Sequence, residues 1–238
     1  MVLQKLSRQT LADQAADSLE KYIEETQLIP GDILPSEAVL TTMLGVSRPV
    51  VREALKALVG RNIIQIVNGK GAIVKPLGSD DLSTFFKRAV GFDRNAIREL
   101  LEVRRGLEVE AVRLAAQKRL PEEIDQLEKL VRKMRAELHD AEPDYVDSDL
   151  RFHLSIASAA HNSMLYYLIE SIRDAMRNSI LQWHIHRHTP DAYEQVQRIH
   201  ERIVEAVKLG DPEMAAAAMK QHFDNAISNL TDSAGQQT

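Results

Sequence analysis

Residues 30–55 read PGDILPSEAVLTTMLGVSRPVVREAL, and the punctuation of this stretch decides the N-terminal fold. Pro30-Gly31-Asp32 interrupts whatever precedes it, and Pro35-Ser36-Glu37 reads as a helix start, with Ser36 as N-cap and Glu37 favourable in the first turn. A short helix then runs to Leu44. Gly45-Val46-Ser47 is a tight turn whose glycine accepts positive φ and whose serine can cap a second helix, Arg48 to Gly60. Upstream, Leu11, Ala15, Leu19, Tyr22 and Ile23 recur at helical steps between Thr10 and Thr26. Downstream, the β-favouring residues of Ile63 to Val74 flank Asn68-Gly69, a dipeptide suited to a tight hairpin turn. The pattern predicts a winged helix-turn-helix over residues 1–76 with a small two-stranded wing.

Charge supports a nucleic-acid surface in that module. The chain of 238 residues carries a formal net charge of −5, yet between Gly45 and Lys75 six basic residues (Arg48, Arg52, Lys56, Arg61, Lys70 and Lys75) face Glu53 alone. In a helix-turn-helix the start of the second helix enters the major groove. Arg48 and Arg52, four residues apart, share one face there, while Val51, Ala54, Leu55 and Leu58 face the core. Arginine reads guanine in a bidentate manner, the Ser47 hydroxyl suits a phosphate, and Lys70 beside Asn68-Gly69 suits the DNA backbone or minor groove. The competing reading is a solvated charged helix next to an ordinary hairpin.

The motifs Pro30-Gly31-Asp32-Ile33-Leu34-Pro35-Ser36-Glu37, Leu44-Gly45-Val46-Ser47-Arg48 and Val51-Arg52-Glu53-Ala54-Leu55 resemble the winged-helix domain of GntR regulators. The resemblance spans residues 10–76 and implies that Arg48, Arg52 and the wing Gly69 contact an operator. Many members carry an arginine directly after the Pro-Ser-Glu segment, where this chain has Ala38.

Pro76-Leu77-Gly78-Ser79 opens a linker expected over 77–82, and a second domain over 83–232 reads as an antiparallel all-α bundle. Its helices are expected near Asp80–Val90, Asp93–Arg119, Pro121–His139, Pro143–Ala160, Ser163–Ile185, Pro190–Leu209 and Asp211–Leu230. The absence of cysteine leaves His, Asp and Glu as metal ligands. No run suits a bilayer span and Met1 to Thr10 lacks the apolar core of a secretory signal, so the expected location is the cytoplasm.

Within the bundle, Asp149 and His153 lie four apart on a stripe with Val146, Ile156 and Ala160. His200 shares a face with Val196, Ile203, Val204 and Val207, and His222 with Ala215, Met219, Ala226 and Leu230. Each histidine alone reads as a hydrogen-bonded core residue; together, three imidazoles and a carboxylate suit a divalent metal, zinc foremost, with Ni, Mn or Fe(II) as alternatives. Asp149-Leu150-Arg151-Phe152-His153 with the later His200 and His222 resembles the metal-containing FCD domain of FadR-like GntR proteins, which implies the same four ligands here. Arg104 and Glu108 sit on a mainly apolar stripe, either as an internal salt bridge or with Arg104 gripping an acidic effector. The segment from Glu102 to Glu108 resembles that family's arginine-bearing helix, which favours the effector role. His184, His186 and His188 form a rival cluster that reads as a helix end or exposed loop.

The expectation is a homodimeric regulator that binds palindromic double-stranded operator DNA and senses a small carboxylate at the metal, without membrane contact. A metal-responsive regulator and a metal-dependent hydrolase or lyase are the alternatives.

Overall fold

The computed structural model describes residues 9–93, 95–138, 143–185 and 190–234. It divides into two compact units, 1–77 and 78–238, each with its own hydrophobic core. Among the described residues there are ten helices and one two-stranded sheet.

The first unit holds α1 (Leu11–Glu25), α2 (Glu37–Leu44), α3 (Arg48–Gly60), β1 (Ile64–Val67) and β2 (Gly71–Val74). A capping box starts α1: the Thr10 hydroxyl accepts from Asp13 N at 3.1 Å, and Asp13 Oδ2 accepts from Thr10 N at 3.1 Å. The face that α1 buries is Ala15, Ala16, Leu19 and Ile23; Leu11, expected on it, is exposed in the first turn. Ser36 caps α2 through Val39 N, and Gly45 ends it in the left-handed conformation (φ 64°), where a side chain would be strained. Val51, Ala54, Leu55 and Leu58 of α3 are all buried, as their spacing predicts.

The wing forms the expected hairpin around Asn68-Gly69, with a three-residue tip. Val67 pairs with Gly71, leaving Asn68-Gly69-Lys70 as a three-residue loop in which Lys70 N donates to Val67 O at 3.0 Å. Asn68 keeps negative φ while Gly69 takes +78°, so the twin positive-φ turn that the Asn-Gly pair favours in hairpins does not form. The segment 31–34 also joins the sheet. Gly31 N donates to Val74 O, Leu34 N to Ala72 O and Val74 N to Asp32 O, with a β-bridge between Ile33 and Ile73. The Pro30-to-Leu34 motif is thus a tie to β2 as well as a break between helices.

The second unit holds α4 (Asp80–Phe92), α5 (Asn95–Lys118), α6 (Pro121–Ala136), α7 (Pro143–Ala159), α8 (Ser163–Ile185), α9 (Pro190–Leu209) and α10 (Pro212–Ala234). Residues 80–82, inside the expected linker, form the first turn of α4, and Ser79 already donates to Glu170 at 2.9 Å. Helix α6 ends at Ala136, earlier than expected. Pro121 and Pro212 occupy first-turn positions, where a missing N–H costs nothing. Helix α5 runs through the middle of the unit, packed on α10, α7, α8 and α9. Its buried face carries Leu100, Leu101, Ala111, Val112 and Ala115, interrupted by Arg104 and Glu108. Two charges on that face set up the site.

Leu58 is fully buried between α1, α3 and the wing core. Leu58→Ala should lower the stability of the first unit by ~2–5 kcal/mol, read as a shift of its urea unfolding midpoint by circular dichroism.

Candidate metal centre and nucleic-acid interface

Three helices supply the centre. Helix α7 carries Asp149 and His153 one turn apart, α9 carries His200 and α10 carries His222. The flanking residues Val146, Ile156, Val196, Ile203, Val204, Ala215 and Met219 are buried, so packing of these apolar stripes turns the intervening polar side chains into the bundle. One ring nitrogen from each of His153, His200 and His222 lies within 4.8 Å of the others. Asp149 Oδ1 is 3.4 Å from His200 Nε2 and 3.8 Å from His153 Nε2. All four residues expected as ligands therefore meet, although they span 74 positions of the chain.

Helix α9 is held in register by a clasp beside His200. Arg135 of α6 donates to both oxygens of Glu201 (2.7 and 2.9 Å) and to Glu194 (2.8 Å), and buried Gln197 donates to Val131 O at 2.9 Å. Phe152 and Phe223 wall the centre, with ring centroids 5.0 Å from His200 and 5.2 Å from His222.

Burial, then the neighbouring His200 and His153, holds the His222 imidazole well below its ordinary pKa, so it stays neutral and keeps a lone pair to donate. Nε2 of His153 and Nδ1 of His222 are buried without a hydrogen-bond partner. Leaving such atoms dry costs ~1–3 kcal/mol each. Ring nitrogens of three histidines converging within 4.8 Å beside a carboxylate are the donor set of a divalent cation, so these residues fit a metal.

Glu108 was not foreseen as part of this centre. Its Oε1 accepts from Arg104 Nε at 2.7 Å, the internal salt bridge that the stripe allowed, and its Oε2 is hydrogen-bonded to Nδ1 of His153. Burial alone would raise its pKa, but the Arg104 guanidinium and the adjoining His153 ring prevail and hold it down at about 2. Arg104 is itself buried, with its guanidinium carbon 5.2 Å from the Phe223 ring centroid. Its Nε is committed to Glu108.

In the first unit, Ser47, Arg48, Arg52, Asn68, Gly69 and Lys70 are all exposed. Ser47 flanks α3 without a side-chain cap bond, which leaves its hydroxyl uncommitted to the helix. Arg52 Nε donates to Glu37 Oε2 at 2.9 Å, an exposed pair that orients the arginine from the start of α2; the sequence marked Glu37 only as a helix start. Ala38 is exposed in the same turn. His184 lies on α8, and His186 and His188 lie outside the described residues.

Residues 11–74 match the gntR family of bacterial regulatory proteins, and residues 99–225 match the FCD domain. The chain is 32% identical over 210 residues to the HTH-type transcriptional regulator LutR of Bacillus subtilis, covering 85% of this chain and 93% of that protein. It is 31% identical to the Glc operon transcriptional activator of Escherichia coli, covering 96% and 92% of the two chains. The chain belongs to the GntR family. The fold agrees: the structure of a Streptococcus agalactiae GntR protein matches with a TM-score of 0.69 at 23% identity, over 91% of this chain and 99% of that one. GntR proteins bind DNA and typically dimerise, and FCD domains commonly bind metal. Membership makes this chain a transcriptional regulator and sets aside the hydrolase or lyase alternative. Among the described residues, no helix of this GntR protein is long and apolar enough to cross a membrane.

Both shifted groups make acid unfavourable. An unfolded histidine binds its proton near 6.5 whereas folded His222 refuses it, so stability falls as pH drops below about 6.5. Glu108 adds a loss that begins near 4.5 and runs toward 2. With a chelator present, His222→Leu should therefore show a smaller fall in urea midpoint between about pH 7.5 and about pH 5.5 than the wild type. An unchanged fall would mean that His222 is not the group resisting protonation.

Proposed function

We propose that this GntR regulator couples operator binding to a small organic acid sensed at a divalent metal held by Asp149, His153, His200 and His222. The observation that carries the reading is the convergence of three buried ring nitrogens within 4.8 Å beside the Asp149 carboxylate. Zinc suits three imidazoles and one carboxylate best, with Ni, Mn or Fe(II) as other candidates. When bound, the metal supplies a Lewis-acidic position for an effector oxygen. Arg104, one helix away, supplies a guanidinium edge for a carboxylate.

The printed names of relatives suit this chemistry. One is the activator of a Glc operon, and another, 30% identical over 98% of this chain, is the HTH-type transcriptional repressor NanR of Escherichia coli. Activation and repression both occur on this architecture, so the effector acts by favouring one of two states with different operator affinity.

In the head, Arg48 and Arg52 read base edges, Ser47 holds a phosphate, and Asn68, Gly69 and Lys70 bring the wing to the backbone or minor groove. The exposed methyl of Ala38 makes no polar contact, so operator choice rests more heavily on α3 than in relatives with arginine there. A homodimer presents two heads to a palindromic site.

Elemental analysis of the purified protein, followed by thermal shifts with organic acids on metal-loaded and stripped samples, tests the reading. One metal per chain with acid stabilisation only when loaded is the expected result. A metal that is lost reversibly, with DNA release and no acid response, would favour a regulator whose signal is the metal itself. Arg52→Ala should weaken operator binding by about 10-fold or more and leave metal content unchanged. His200→Ala should abolish tight metal binding and spare basal DNA binding. Loss of both properties in both variants would overturn the division of labour.

A further inference from the structure

Glu108 belongs neither to the ligand set nor to the DNA surface, yet it is 1% exposed at the centre of α5. One carboxylate oxygen accepts from Arg104 Nε at 2.7 Å and the other meets His153 Nδ1. A guanidinium does not give up its proton in a protein, so the carboxylate beside it is held ionised and can only accept hydrogen bonds. Nδ1 of His153 must then carry the hydrogen. A neutral imidazole has one N–H, so the lone pair falls on Nε2, the atom 3.8 Å from Asp149 Oδ1, the same carboxylate oxygen that His200 Nε2 approaches to 3.4 Å.

We propose that Glu108, fixed by Arg104, is a positioning residue that sets the tautomer of His153 and so presents Nε2 as a metal-binding lone pair. The inference rests on the metal reading above. It also gives Arg104 a role at the metal centre that is distinct from gripping an effector: the arginine decides which way the hydrogen bond to His153 can run.

Glutamine at this position exposes the logic. An amide offers one acceptor and one donor. If its oxygen satisfies Arg104, its NH2 faces His153 and demands an acceptor there, which moves the imidazole hydrogen to Nε2 and blocks ligation. If it flips, two donors meet at Arg104. Removing the arginine lifts the conflict, because the amide oxygen is then free to turn to His153.

The test uses the full-length protein. In metal-free, 15N-labelled wild type at mildly alkaline pH, long-range 1H–15N correlation should show His153 with the hydrogen on Nδ1. In chelator competition, Glu108→Gln should bind zinc about 10–100-fold more weakly than wild type. The double variant Arg104→Met/Glu108→Gln should recover most of that loss, which a general structural role for either residue would not produce. An Nε2–H tautomer in the wild type, wild-type zinc affinity in Glu108→Gln, or a double variant as weak as the single one would each overturn the inference. A wild type that binds no zinc at all would instead overturn the metal reading, and the tautomer measurement does not depend on any variant folding.

Discussion

A carboxylate taken wholly out of water survives as an anion only if other charges and hydrogen bonds replace the solvent, and the sensory unit is organised around one such group. Glu108 sits on the central helix with Arg104 one turn before it and His153 across the interface with α7. Each partner has a further commitment: Arg104 lies over the Phe223 ring of α10, and His153 faces His200 of α9 and His222 of α10. Four helices are therefore tied through one buried anion. This is a different kind of constraint from the surrounding aliphatic packing, which tolerates sliding better than a chain of directional bonds does.

The head meets the opposite electrostatic demand. Its useful charges must remain in water until a phosphate or base edge arrives. The Arg52–Glu37 pair is exposed on both sides, and pairs of this kind contribute about 0–1 kcal/mol. That is enough to bias where Arg52 points and too little to hold it against a polyanion. The rigid part lies beneath, in the buried face of α3 and in the three-way tie among segment 31–34, β2 and β1. Stable apolar packing below and weakly held charge above would let α3 be fixed in place and still available to DNA under the proposed reading.

Much of this was legible in the sequence because it is local. The helix start at Ser36 announces itself through capping chemistry, and the stripes that carry His153, His200 and His222 follow from a 3.6-residue period. What escaped depends on partners distant in sequence. The bond from Glu108 to His153 spans 45 positions, and nothing around Glu108 distinguishes an anion held by two helices from half of an i,i+4 salt bridge. The strand-like pairing of Gly31, Ile33 and Leu34 escaped for the same reason, since its partner is β2 rather than a neighbour in sequence. The wing hairpin forms where expected, and only its tip length was not legible. Asn68-Gly69 carries a strong local preference, but the Val67–Gly71 register needs three residues between the strands, and tertiary pairing prevailed.

The buried chain also bears on how a carboxylate effector would act. Arg104 spends Nε on Glu108, so an incoming acid that takes its remaining edge shares a cation already employed in keeping Glu108 ionised. A second anion at that guanidinium weakens its hold on the first, and the hydrogen bond from Glu108 to His153 adjusts with it. Under the proposed effector reading, occupancy would reach α7 through the two hydrogen bonds of Glu108, without requiring the aliphatic core to rearrange. Because Arg104, Glu108 and His153 are joined by two hydrogen bonds, an effector at Arg104 would act on the proposed metal ligands as well as on the metal.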